Sequence, residues 1–280
     1  MTDGMEFPFS DADFLRLSTL ITARTGIELP PHKKALVYGR LARRLRALGL
    51  KDFTSYVNAI EHDLKNKNND EMLAAIQAVT TNVTAFFREA HHFDLLPQHL
   101  DRLLAAHGEL HIWSAACSSG EEAWSLAMVV AEWRKTHPNA PVSLLATDID
   151  TTVLAKAKAG VYTLPPAEVA AHPLLKRYLV DDGPARLPHE RRYKVAQHLL
   201  PQVTFRQLNL IENWRLPQRQ QVVLCRNVII YFGRDTKVKL FANIADHMAP
   251  QGLLCIGHSE SLLGVSDAFT PLGRTAYLRA

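Results

Sequence analysis

From about residue 80 onward the chain alternates short apolar runs with helix-patterned stretches, and no other feature constrains its fold as strongly. Parallel neighbours need a long crossover, most simply a helix, so such an alternation reads as a mostly parallel α/β sheet. Strands are expected at 110–117 (LHIWSAAC), 142–148 (VSLLATD), 203–209 (VTFRQLN), 222–227 (VVLCRN) and 252–258 (GLLCIGH). Helices are expected between them at 121–135, 150–160 and 234–248, and the tail FTPLGRTAYLRA suggests a last antiparallel strand pair turning near Gly273. The fold class is therefore a doubly wound, Rossmann-like sheet.

Residues 10–78 have a different texture, helical throughout. Ser10 caps a segment closing at Gly26, the run 33–49 closes at Gly49, and helical patterns follow at 52–64 and, after the polar stretch KNKNND, at 68–80. A chain of 280 residues is long enough for two cores. We read an all-α domain over 1–79, a linker over 80–88 that contributes to the ligand site, and an α/β domain over 89–280. Between 160 and 201 the rhythm breaks at Pro165, Pro166, Pro173, Pro184 and Pro188, which marks an inserted subdomain with short strands at RYLV and RYKV.

Composition excludes several classes. Cys117, Cys225 and Cys255 form no CxxC pair, and the 13 histidines are dispersed with no HExxH, so neither a disulfide framework nor a metal centre is expected. The start carries acidic residues where a secretion signal needs basic ones, and no apolar run reaches membrane-spanning length; a cytoplasmic protein without membrane insertion is expected. The net charge of +4 is unevenly distributed: six Lys or Arg and no Asp or Glu lie between His32 and Gly49. Val37, Leu41, Leu45 and Leu48 share one face of that helix, while Lys33, Arg40, Arg43 and Arg44 fall on another. The basic stripe is either a solvated face or a docking face for an acidic partner.

The chemistry is expected at the carboxyl ends of the strands. After the first strand the loop Ala115-Ala116-Cys117-Ser118-Ser119-Gly120 has only small side chains, so a ligand can approach its backbone, but the following helix opens with Glu121 and Glu122. Carboxylates there would repel the phosphates that helix starts usually bind. S-adenosylmethionine has a sulfonium, an ammonium and no phosphate, and Asp148, ending the second strand, stands where a ribose acceptor would. A tight strand-to-helix turn and an ordinary helix cap would leave the same residues.

The wider context is more specific. TTNVTAFFREAHHF (80–93), IWSAACSSGEEAWSLAM (112–128), ATDID (146–150), CRNVIIYF (225–232) and GLLCIGHSES (252–261), with the basic segment GRLARRLRALG, resemble in this order the chemotaxis receptor glutamate methyltransferase (CheR) family across nearly the whole chain. That resemblance implies transfer of a methyl group from S-adenosylmethionine to glutamate carboxylates of bacterial chemoreceptors, giving methyl esters and S-adenosylhomocysteine. It implies cofactor contacts at Asn82, Thr84, Arg88, Glu122, Asp148, Asn209, Leu210, Arg226 and Asn227. Arg88 and Tyr231 would lie at the reacting carboxylate, and Arg40, Arg43, Arg44 and Arg46 would dock the receptor's methylation helices. Taken singly, Asn82, Thr84 and Asn227 could be helix caps, and Tyr231 an interface aromatic.

The insertion resembles a β-subdomain that binds a receptor tail in some members, but its loop VDDGPARLPHERR is long and lacks a GxG turn, so independence of the tail is expected, as is a monomer. Departures from the family pattern are Ala123-Trp124 after the Glu pair and Gln220-Gln221 before the fourth strand. A nucleic-acid methyltransferase would need an [ND]PP[FY] segment or a Pro-Cys nucleophile where this chain reads CRNVIIYF, and its basic stripe lacks stacking aromatics, so no nucleic acid is expected. A silent receptor-binding module that keeps the fold is the remaining rival.

Overall fold

The computed structural model describes residues 6–67, 69–80 and 82–280, which form two compact units. Thr81 and Asn68, within segments singled out above, lie outside the described residues. The first unit comprises the residues up to 80 with Tyr231–Thr236, and the second Asn82–Ile230 with Lys237–Ala280.

In the first unit, helices α1 (Asp11–Thr25), α2 (Lys34–Leu48), α3 (Phe53–Lys65) and α4 (Asp70–Val79) follow the sequence pattern closely. Ser10 and Asp13 cap α1 reciprocally, each side chain accepting from the other's backbone amide, and Gly26 leaves the helix at φ 72°. Val37, Leu41 and Leu45 are buried with Leu17, Ile21, Phe53 and Tyr56, whereas Leu48, in the last turn of α2, is 44% exposed. The segment Tyr231–Thr236 returns to this unit: the Glu28 amide donates to the Tyr231 carbonyl at 2.8 Å, and Ile27 bridges Phe232.

The basic stripe expected to turn outward along α2 is partly engaged within the unit. Arg40 donates to the carbonyls of Val79 and Thr80 at 2.6 and 2.8 Å, capping the end of α4. Arg44 pairs with the buried Glu71, which also accepts from the Tyr56 hydroxyl at 2.8 Å, and Arg46 pairs with Glu6. Lys33, Arg43 and Arg46 are exposed, and Arg43 has no ion pair among the described residues.

In the second unit, α5 (His91–His107) leads to β1 (Leu110–Ala115), α6 (Glu121–Trp133), β2 (Val142–Asp148) and α7 (Thr151–Ala159). The insertion contributes β3 (Val161–Leu164), α8 (Pro166–Ala171), α9 (Pro173–Tyr178), β4 (Leu179–Pro184) and β5 (Arg191–Val195). Then come β6 (Val203–Gln207), β7 (Gln220–Cys225), α10 (Arg234–His247, in this unit from Lys237), β8 (Met248–Ile256), β9 (Phe269–Gly273) and β10 (Ala276–Arg279).

The main sheet has the order β6-β2-β1-β7-β8-β10-β9, parallel through β8 and antiparallel in the last pair. β1 is central, with β2 on one side and β7 on the other, so the chain reverses direction across the sheet there. Such a point opens a crevice at the strands' carboxyl ends. β7 is buried along its whole length, as a central strand covered on both faces must be.

Both departures from the family pattern have structural partners. β7 begins at Gln220, two residues earlier than expected, and the Gln221 side chain accepts the His111 amide at 2.6 Å. Trp124 is buried against Phe205 and donates to the Ala157 carbonyl at 3.0 Å.

The insertion is a separate three-stranded antiparallel sheet, β3-β5-β4. Arg177 and Tyr178 of the expected strand RYLV close α9 instead, and the strand starts at Leu179. Pro166 and Pro173 each sit in the first turn of a short helix, where the missing N–H is harmless. Tyr178 and Arg177 both bond to Glu132 of α6, docking the insertion on the main body of the unit.

Candidate active site

The loop after β1 is as compact as its small side chains require. Ala116 and Ser118 adopt φ of 61° and 50°, and Gly120 opens α6 at φ 96°. A Cβ on Gly120 would lie 2.6 Å from Ala157 Cβ, so α6 and α7 approach only because glycine stands there. The Tyr162 hydroxyl of β3 donates to the Ser119 carbonyl at 2.8 Å, tying the insertion to this loop.

Asp148 is 7% exposed and anchors that loop: one oxygen accepts the Ser118 amide at 2.8 Å, the other the Asp150 amide at 2.9 Å. Burial pushes its carboxyl above the ordinary range against those amides. Each oxygen keeps a further lone pair for a ligand hydroxyl. Asn82 donates to Asp150 at 3.0 Å and accepts Ser118 Oγ at its carbonyl, also at 3.0 Å, so the segment from Asn82 lies across the loops after β1 and β2. It is irregular up to Ala90, not helical, which removes a helix-cap role for Asn82 and Thr84. Thr84 is half-buried. Asn209 and Leu210 follow β6 beside this region, where the Leu208 amide donates to the Asp148 carbonyl.

Arg88 donates to the Val83 carbonyl at 3.0 Å, closing a five-residue return, and is half-buried. Its neighbours Phe87 and Glu89 have φ of 52° and 57°. Left-handed conformations at non-glycine residues are strained and need surrounding structure to hold them. The Ser125 hydroxyl accepts the Phe87 amide at 3.0 Å. Arg226, 5% exposed, holds the other side: its guanidinium bonds to Glu122 at 3.0 Å and to the Arg88 carbonyl, and lies 3.4 Å from Glu89.

Glu122, which also accepts from Ser114 at 2.6 Å, therefore shares its carboxylate with the protein. Burial raises its carboxyl and Arg226 opposes the rise. Burial would push Glu89 up too, but His258, Arg226 and Asn227 hold it at about 2.

In the second unit, then, the structure gathers Asn82, Arg88, Glu122, Asp148, Arg226 and Asn227 around the carboxyl ends of β1, β2 and β7. Tyr231 and the α2 arginines belong to the first unit. Residues that sequence reasoning passed over are Asp150, Glu89, His258 and Glu260. The last two stand in the quoted motif GHSES and Glu89 in FFRE, but periodicity carries no sign that a carboxylate is aimed at backbone amides.

The cradle fits a methyl donor of the S-adenosyl type: small side chains where backbone must be approached, acidic groups at the start of α6, and an acceptor at the end of β2. A mostly parallel sheet with this crevice is the doubly wound architecture. Residues 82–278 match the family description "CheR methyltransferase, SAM binding domain", and residues 12–80 match "CheR methyltransferase, all-alpha domain". A chemotaxis protein methyltransferase of Salmonella typhimurium is 42% identical over 269 residues, covering 96% of this chain and 90% of that one. One from Escherichia coli K12 is 42% identical, covering 96% and 91%, and a chemotaxis protein methyltransferase 2 of Pseudomonas aeruginosa is 38% identical, covering 98% and 95%. The chain belongs to the CheR methyltransferase family.

Proposed function

We propose that this protein esterifies glutamate side chains on the cytoplasmic methylation helices of chemoreceptors, working as a monomer with S-adenosylmethionine as donor. The observation that carries this reading is the cradle of the second unit, where Asn82, Asp148, Glu122, Arg226 and Asn227 converge and the guanidinium of Arg226 is already engaged by Glu122 and Glu89. In this reading Asp148 accepts the ribose hydroxyls, Glu122 the donor's ammonium, and Asn209 and Leu210 flank the adenine. Thr84 and Asn82 cover the donor from the strapping segment. When bound, the donor supplies an electrophilic methyl on a positively charged sulfur.

A glutamate carboxylate, with an ordinary pKa of roughly 4.3, is already ionised at neutral pH and needs no general base. The chain's task is orientation: bringing one carboxylate oxygen to roughly 3 to 3.5 Å of the methyl and removing its water. Arg88 engages the other oxygen. A guanidinium gripping both oxygens would deepen the ground state and slow attack. The acidic helix of the receptor meets Arg43, helped by Lys33, while Arg40, Arg44 and Arg46 hold the first unit together. We read tail tethering through strand addition as unused, since the insertion's loop lacks a GxG turn and β4, one of its two edge strands, ends at Pro184, which has no N–H to offer.

Incubation with radiolabelled donor and receptor cytoplasmic fragments tests this. Label released as methanol by mild alkali is the expected result. Alkali-stable label would exclude carboxyl esterification in favour of an amine or amide product, and no transfer would favour the silent module.

A further inference from the structure

The motif GHSES follows β8, and nothing in the reading above uses its glutamate. Glu260 is 6% exposed and has no ion pair among the described residues. Its carboxylate accepts four backbone amides: Gly257 at 2.6 Å and Asn227 at 3.0 Å on one oxygen, Ile229 at 2.9 Å and Ile230 at 3.2 Å on the other. Backbone amides converging on one point normally bind an anion from outside. Here the protein supplies the anion itself.

The gathered loop is the one that leaves β7. Asn227 stands at φ 59°, and its side chain donates at 3.2 Å to Glu89, next to Arg88. The loop after β8 presses against it. A Cβ on Gly257 would lie 2.3 Å from Asn227 Nδ2 and 2.8 Å from the Asn227 amide. Only a glycine fits, and only an acceptor with two charged oxygens satisfies all four donors.

We propose that Glu260 is a positioning residue for the methyl donor: by drawing in these four amides it sets the left-handed turn at Asn227, and so holds Arg226 and Asn227 in the conformation the donor meets. This rests on the donor reading given above. Asn227 in turn reaches Glu89, so the same clamp restrains the Arg88 segment, which Ser125 also holds.

The experiment is calorimetric titration of the full-length wild type, Glu260→Gln and Gly257→Ala with S-adenosylmethionine and S-adenosylhomocysteine, with binding stoichiometry and thermal unfolding followed in parallel. Glutamine keeps the shape but turns an amide NH2 toward two N–H donors, so the Kd for both ligands should rise about tenfold or more while stoichiometry stays near one. Loss of folded material alone would lower the stoichiometry and leave Kd unchanged, and that result overturns the proposal. If Glu260→Gln does not fold, Gly257→Ala decides: it pushes a methyl group onto Asn227 from the same loop and should raise Kd in the same way, and a wild-type Kd in the folded variant overturns the proposal. A wild-type chain that binds neither ligand sinks the donor reading and this inference with it. Wild-type binding with an unchanged Kd in Glu260→Gln sinks the inference alone.

Discussion

Arg88 and Asp148 illustrate how differently two site residues are held. Arg88 is tied by one bond to Val83, and its guanidinium keeps most of its donors for a substrate. Removing it should therefore leave folding nearly intact and lower kcat. About a hundredfold loss is expected for Arg88→Ala at saturating donor, and a smaller one for Arg88→Lys, which keeps the charge but not the planar fork. Single-turnover methyl transfer measures this, and wild-type rates in both variants would exclude a role for Arg88 at the carboxylate. Asp148 instead holds the Ser118 and Asp150 amides while facing the crevice. In Asp148→Asn one oxygen becomes a donor opposite an amide, so donor affinity should fall about tenfold, and the β1 loop should loosen as well. Increased amide exchange at Ser118 would separate this from loss of a ribose contact alone.

Helix α2 shows how far periodicity carries and where it stops. The apolar positions Val37, Leu41 and Leu45 were legible because burial repeats with the helix, and likewise β2 matched its expected span because a continuous apolar run ending in Asp148 has few alternatives. Pairing between distant segments leaves no such trace. Nothing in the sequence says that Arg44 meets Glu71, that Arg40 caps α4, or that Tyr231–Thr236 returns to the first unit. Short helices such as α8 and α9 fall below the length at which a period can be counted.

For the same reason the basic stripe looked uniform in sequence and is not. Arg43→Glu should weaken receptor methylation, seen as a raised KM for receptor with unchanged donor Kd, and the effect should fade at high salt. Arg44→Met should leave Glu71 with Tyr56 alone and lower stability by about 2 kcal/mol, measured by denaturant unfolding. If the two variants exchanged phenotypes, the assignment of the stripe would be wrong.

At the scale of the whole molecule, a chain of two compact units need not unfold in one step, so any stability claim has to name the unit it reports. All four tryptophans, Trp113, Trp124, Trp133 and Trp214, lie in the second unit, and their fluorescence therefore follows that unit alone. Within it His92 is fully buried, with the Arg274 carbonyl at 3.1 Å from Nε2, Glu89 at 3.6 Å from Nδ1 and Arg226 close by. Burial and then the Arg226 charge depress its pKa from 6.5 to about 4. The native unit thus keeps His92 neutral while the unfolded chain takes up a proton. Stability from this group is complete above pH 6.5 and is lost as pH falls toward 4. Between pH 7 and 5 the loss should be about 2 kcal/mol. The raised carboxyls of Asp148, Glu122 and Glu260 act in the opposite sense over part of this range, since the native state holds their protons longer than the unfolded chain does. A single pH series would mix the two. The difference between wild type and His92→Gln removes the carboxyl contribution, because glutamine can still donate to the Arg274 carbonyl but does not titrate. Tryptophan-detected urea unfolding at pH 7 and pH 5 should show the wild type losing about 2 kcal/mol more than the variant. Parallel losses in the two proteins would mean that His92 titrates normally in the folded unit and that the polar cluster around Glu89 is open to water.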